Sequence, residues 1–197
     1  GKGRGSDVVF DMSSGASGEL YLTGSTTSNY GKSTDAAVNN ELHAGMGDVF
    51  VSKLSSTGVL QWTRTWGASL SGAGKIDVGK RILPISATSE LLVCAETMGN
   101  LLESQGGGAV AGGDTVQGKG DLVLIRLSQS GTLLGQSQLG NLSLGSTRAG
   151  NKETCGSLLR SSSQFVLFGT SDSTIFPSGT GTAFMVRAAT SGFEAIR

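Results

Sequence analysis

The stretch that decides the fold is Gly47 to Gly58, GDVFVSKLSSTG. It returns as Gly120 to Gly131, GDLVLIRLSQSG, and again as Gly181 to Gly192, GTAFMVRAATSG. Each copy is twelve residues long without a gap, opens with Gly, carries Lys53, Arg126 or Arg187 at its seventh place and closes on Ser/Thr-Gly. An apolar run ending in a Ser/Thr/Gly cluster reads as a strand entering a hairpin turn, and Val59 to Trp66 (VLQWTRTW) reads as the return strand.

Working outward, two further strands precede each copy. Asp7 to Met12 and Glu19 to Thr23 (ELYLT) flank the turn cluster Ser13 to Gly18. Val78 to Ile85 and Glu90 to Ala95 precede the second copy, where Asp121 to Leu127 and Thr132 to Leu139 complete the set. Cys155 to Arg160, Gln164 to Gly169, Ala183 to Ala188 and Phe193 to Ile196 fill the same four places in the third. Gly47 to Gly120 is 73 residues and Gly120 to Gly181 is 61. Four antiparallel strands recurring in this way are the signature of a β-propeller blade, here longer than the roughly 40 to 50 residues of common blade types. The expected fold is therefore all-β, a partial β-propeller of three four-stranded antiparallel blades. The blades are placed at 5–67, 77–139 and 151–197, as one continuous repeat domain within a larger propeller. Helical repeats lack the needed 3.6 periodicity, and a plain twelve-stranded sandwich does not explain the gap-free recurrence.

The residues GELYLTGSTTSNY, then GDVFVSKLSSTGVLQW, then Trp66-Gly67 and Asp77 carry a family resemblance. In that order they resemble the SBBP (seven-bladed β-propeller) repeat, and the third copy keeps FGTSDSTIFP with Phe176-Pro177 at its end. Copies two and three have Gly135 and Ile196 where the first has Trp62. The resemblance implies the propeller fold and an extracellular or cell-surface setting, and it implies no single activity.

Composition narrows the function classes. Lys+Arg and Asp+Glu number 15 each, so no net field steers the chain toward nucleic acid or an anionic membrane. No apolar run approaches the roughly 20 residues of a membrane helix, and membrane insertion is not expected. Gly supplies 32 positions and Pro two, as in β-rich proteins with many tight turns rather than in linkers. The N-terminus, GKGRGSDVVF, has neither an initiator Met nor a signal peptide and reads as a piece of something longer.

The connections are unequal in length. Those between first and second strands and between third and fourth strands are short, whereas Ser25 to Met46, Glu96 to Lys119 and Thr170 to Thr180 are long, as are the links between units. In an up-and-down unit the long ones share one face. Asn29, Tyr30, Asn39, Asn40 and His43 are the candidate ligand or partner residues there, with amides to bond hydroxyls and a ring to stack. Ordinary solvated loops account for them equally well. His43 is the single histidine, so no histidine-based metal cluster can be built; a Ser-His-Asp triad would have to use it, and the sequence has no Gly-x-Ser-x-Gly elbow, so neither catalysis nor a cofactor is expected. The glycine run Gly106 to Gly113 lacks the Gly-Lys-Ser/Thr ending of a phosphate loop.

Two further pairings are open. Cys94 and Cys155 either bridge two adjacent blades or stay as buried thiols, and Asn141-Leu142-Ser143 is a candidate N-glycosylation sequon. Lys53, Arg126 and Arg187 either snorkel at the rim or bond a carbonyl or carboxylate, with Asp48 and Asp121, at the opposite end of the strand in this or an adjacent blade, as the candidate partners. Three blades cannot close a ring of four to eight, so further blades of the same chain or other protein chains are expected to cover the open faces. The expectation is a non-catalytic structural and protein-interaction module of a secreted or cell-surface assembly, such as a filament. The alternative is a lectin-like, glycan-binding module using the long loops.

Overall fold

A computed structural model of the chain describes residues 5–27, 47–67, 76–85, 88–98, 120–139, 152–161, 164–171 and 182–189. Among these residues there are strands and turns and no helix. The first sheet is β1 (Asp7–Ser14), β2 (Leu20–Thr26), β3 (Asp48–Leu54) and β4 (Leu60–Trp66), hydrogen-bonded in that order. The second is β5 (Asp77–Ile85), β6 (Glu90–Thr97), β7 (Asp121–Ser128) and β8 (Leu133–Leu139). The third is β9 (Glu153–Ser161), β10 (Gln164–Ser171) and β11 (Thr182–Ala189). All strand pairs within the sheets are antiparallel. The chain is thus all-β, built from antiparallel meanders. The twelfth expected strand, Phe193 to Ile196, lies outside the described residues.

Local chemistry explains the tight turns. Gly18, Gly58 and Gly131 have φ of 82°, 82° and 83°, a left-handed conformation that glycine adopts without a Cβ clash. In the second and third of these turns the leading Ser side chain also accepts a bond from the closing residue. The Val59 and Thr132 amides reach Ser55 Oγ and Ser128 Oγ at 3.1 and 3.0 Å.

The three sheets share their irregularities. The first and second strands of each pair slip by one residue at the same place, leaving Phe10, Lys80 and Gly156 as the extra residues. Directly before the slip Val9 faces Gly24, Gly79 faces Ala95, and Cys155 faces Gly169. A β-bulge bends its strand and tightens the twist, so sheets with the same bulge can nest.

That nesting forms the core. β5 packs across β1, β2 and β3, and β9 packs across β5, β6 and β7. The period-2 alternation of a strand then divides each apolar run between two interfaces. Leu91, Val93 and Ala95 of β6, with Val123, Ile125 and Leu127 of β7, join Tyr21, Val49, Val51, Trp62 and Trp66 of the first sheet. Leu92 and Cys94, with Leu122 and Leu124, join Cys155, Leu158, Phe165 and Leu167 of the third. The middle sheet is covered on both faces, which is why the run from Leu122 to Ile125 has no polar residue. Each such fully buried Leu, Ile or Val contributes about 1.5–3 kcal/mol relative to exposure.

Candidate functional site

The registers put every long connection at one end. Asp7 faces Thr26, Thr26 faces Asp48, and Val49 faces Trp66, so β1 starts, β2 ends, β3 starts and β4 ends together. The second sheet repeats this with Asp77, Thr97, Asp121 and Leu139. Parallel bridges link the sheets at this end, with the Asp77 amide donating to Gly47 O at 2.8 Å and the Glu153 amide to Gly120 O at 3.0 Å.

Each sheet also places a carboxylate and a hydroxyl here. Thr26 Oγ1 donates to Asp7 Oδ1 at 2.6 Å, Thr97 Oγ1 to Asp77 Oδ1, and Ser171 Oγ to Glu153 Oε1 at 2.9 Å. Asp77, Thr97, Glu153 and Ser171 are buried. Charge-assisted bonds of this kind are roughly twice as strong as neutral ones, and they tie the first and second strands where the loops depart. Asp121 accepts a 2.7 Å bond from Gln138 Nε2, and Asp48 lies against Gly67. The rim is therefore a fixed platform for loops. Among the described residues, no three His, Cys, Asp or Glu side chains come together as a metal site.

Asn29, Tyr30, Asn39, Asn40, His43 and Asn141 lie outside the described residues. What is described is the platform that carries their segments. Cys94 and Cys155 are joined as a disulfide between β6 and β9, with Cα atoms 6.3 Å apart. Cys155 holds the register place of Gly79, and Cys94 that of Thr23.

The expected cation partners need correction. Lys53 and Arg126 are at the turn end of their strands, the opposite end from Asp48 and Asp121. A strand of seven or eight residues spans roughly 20 Å, too far for a contact along its own length. Arg126 pairs instead with Glu90 of the neighbouring β6 at 3.4 Å, a charge contact without hydrogen-bond alignment. Lys53 sits 5.4 Å from the Tyr21 ring centre, near Glu19. The Glu19 carboxyl is held below its usual pKa, first by its own backbone amide and then, against the opposing effect of desolvation, by the Ser17 amide and Lys53. Burial, with the Glu19 charge and hydrogen bond added, pushes the Tyr21 phenol up to about 12.

A second feature is the pair of end faces. Met12 is 58% exposed, whereas Ile82 and Leu158 at the same register place in β5 and β9 are 4% and 7% exposed. On the far side of the third sheet, Phe168 is 41% exposed where Thr23 and Cys94 are fully buried. Met185 is 50% exposed where Val51 and Leu124 are 0% and 2%. The sequence signal for these residues is only that they lie in the apolar runs DVVFDM, QFVLFG and AFMV of the two outer sheets. No protein-family model matches the sequence, and no curated protein matches it.

Proposed function

We propose that the chain is a segment of a β-propeller and serves as a non-catalytic, structural and protein-interaction module of an extracellular or cell-surface assembly. The observation that carries this reading is the pair of apolar end faces, whose residues occupy places that are buried at the two internal interfaces. An apolar sheet face of this kind marks an interaction surface. The shared bulges, the stacking of each first strand over the preceding sheet and the twelve-residue recurrence support the blade reading and, with it, the SBBP resemblance. A disulfide between sheets supports the oxidising, extracellular setting. Loops set on one end give the assembly a variable face.

The test is a photo-activated cross-linking side chain at position 12 or 185 in the protein as its own cells produce it. Capture of protein at both positions is the expected result. Capture of none, with glycans retained by the loop end alone, would replace this reading by the lectin-like one.

A further inference from the structure

We infer that the Cys94–Cys155 bond is a redox-sensitive clasp. A dithiol that reduces it frees the third sheet to part from the second and uncover an apolar face, while the first and second sheets stay joined. Such a device follows from the sheet packing alone, whatever assembly the chain serves.

The polar contacts between the second and third sheets gather at the bond. The Cys155 amide donates to Glu96 Oε1 at 3.1 Å, Arg81 Nε donates to Gly156 O at 2.7 Å, and the Glu153 amide donates to Gly120 O at 3.0 Å. The first two engage Cys155 and the residue after it, so the placement of β9 that they require is the one the sulfurs enforce. Glu96 also lies 3.6 Å from Lys80 Nζ on its own sheet. When the Cys155 amide leaves, that carboxylate keeps a cation beside it, so parting leaves no half-buried charge without its counterion. The first interface is held by contacts without sulfur. There the Ile82 amide donates to Asp11 Oδ2 at 2.9 Å, Trp62 Nε1 to Gln129 O at 3.1 Å and Ser25 Oγ to Asp77 O at 3.0 Å, and the close approach is Gly79 on Thr23. Reduction therefore acts on the second interface alone.

Burial guards the clasp. Cys94 is fully buried and Cys155 is 5% exposed, whereas an attacking thiolate must reach a sulfur in line with the bond. Reduction thus waits for a transient parting of the sheets. One thiolate of the dithiol then attacks one sulfur and expels the other as a thiolate, giving a mixed disulfide. The second thiol of the reductant displaces the bound cysteine and leaves as a cyclic disulfide. Two electrons and two protons pass to the chain, and Cys94 and Cys155 end as thiols. The bond closes a span of 61 residues, and without that constraint parting becomes more frequent by up to about a thousandfold. Parting uncovers Leu92, Leu122 and Leu124 on the second sheet and Leu158, Phe165 and Leu167 on the third, an apolar surface that the closed form hides.

Hydrogen exchange of the full chain, read peptide by peptide with and without dithiothreitol in native buffer, tests the clasp. After reduction, exchange in β9, β10 and β11 should quicken by at least about tenfold while β1 to β4 stay unchanged, as expected of a local opening. A dye that fluoresces on apolar surfaces should brighten with the reduced chain only. Cys94→Ser with Cys155→Ser should show the same exchange pattern with no reductant and should ignore dithiothreitol. Unchanged exchange in β9 to β11 would make the bond a passive staple and overturn the inference. Equal quickening in all three sheets would overturn it too, because the stack would then loosen as one unit. The rate of reduction gives a second check. Dithiothreitol should open the bond at least about tenfold faster in the urea-unfolded chain than in the native one, where the sheets must first part. Equal rates would mean that the sulfurs are open to attack in the closed form, and no native reduction at all would mean that the third sheet does not part; either result removes the clasp.

Discussion

Gly79 on β5 lies so close to Thr23 on β2 that a Cβ added at residue 79 would fall on the threonine hydroxyl. The hydroxyl is itself committed to Phe50 O at 2.9 Å. The first and second sheets therefore approach at a point where no side chain fits on β5. Gly79→Ala should destabilise the fold by about 1–3 kcal/mol, the usual cost of overpacking a closed interface. Removing the obstruction with Thr23→Ala should make the second substitution cheaper than it is alone. A double-mutant cycle from urea unfolding checks this, and additive losses would contradict the contact.

At the next interface the same two places hold Cys155 and Cys94, and the close approach becomes a covalent bond. Replacing both cysteines by alanine should lower stability by up to about 4 kcal/mol, the chain-entropy value for a closed loop of this size. Unfolding midpoints of parent and variant, each with and without reductant, measure it; only the parent should respond to reductant. Transplanting the bond as Thr23→Cys with Gly79→Cys should staple the first interface, detectable as loss of two titratable thiols.

The pairing of positions explains what the sequence could and could not tell. Strand order was legible because three gap-free copies fix the same turn residues, Gly58 and Gly131 among them, and the turn fixes the register of the strands beside it. The partner of Arg126 was not legible. It depends on which residue of β6 faces β7, and Glu90 stands 36 positions away across a long connection. The exposed end faces were foreseeable as a class, but singling out Met12 and Phe168 required the bulge at Phe10 and its counterpart at Gly156, since a one-residue slip moves every later side chain to the other face. Tyr30 and His43 lie outside the described residues.

Tyr21 sets an alkaline limit. Its ring is fully buried at the first interface, its hydroxyl is 3.4 Å from Glu19 Oε1, and its folded pKa of about 12 exceeds the ordinary phenol value of 10.0. Folding thus favours the neutral phenol. The stability contributed is fully present below pH 10 and is lost as pH rises from about 10 toward 12. Tyr21→Phe should flatten the fall in unfolding free energy over that window. An unchanged slope in the variant would assign the alkaline loss to other groups.

The first interface has a further fastener built on Trp62. Trp62 on β4 reaches the turn between β7 and β8, where its Nε1 donates to Gln129 O at 3.1 Å and its ring covers Gly131. Arg64 adds a 3.2 Å bond from Nε to Gly131 O, with its guanidinium 5.7 Å from the Trp62 ring centre. Gly135 stands at the corresponding place in β8, so no indole extends from there, and the disulfide ties the second and third sheets. Trp62→Ala should cost about 3–5 kcal/mol, as for other large core truncations. Trp62→Phe keeps the ring but leaves the Gln129 carbonyl without this donor, a loss of about 1–3 kcal/mol. Trp66 remains to report unfolding by fluorescence. Because Trp62 fastens one interface only, Trp62→Ala should speed hydrogen exchange in β1 to β4 while the disulfide-tied pair β6 and β9 stays protected. Equal loss of protection in all three sheets would mean that they unfold as one unit and that Trp62 acts on the whole stack.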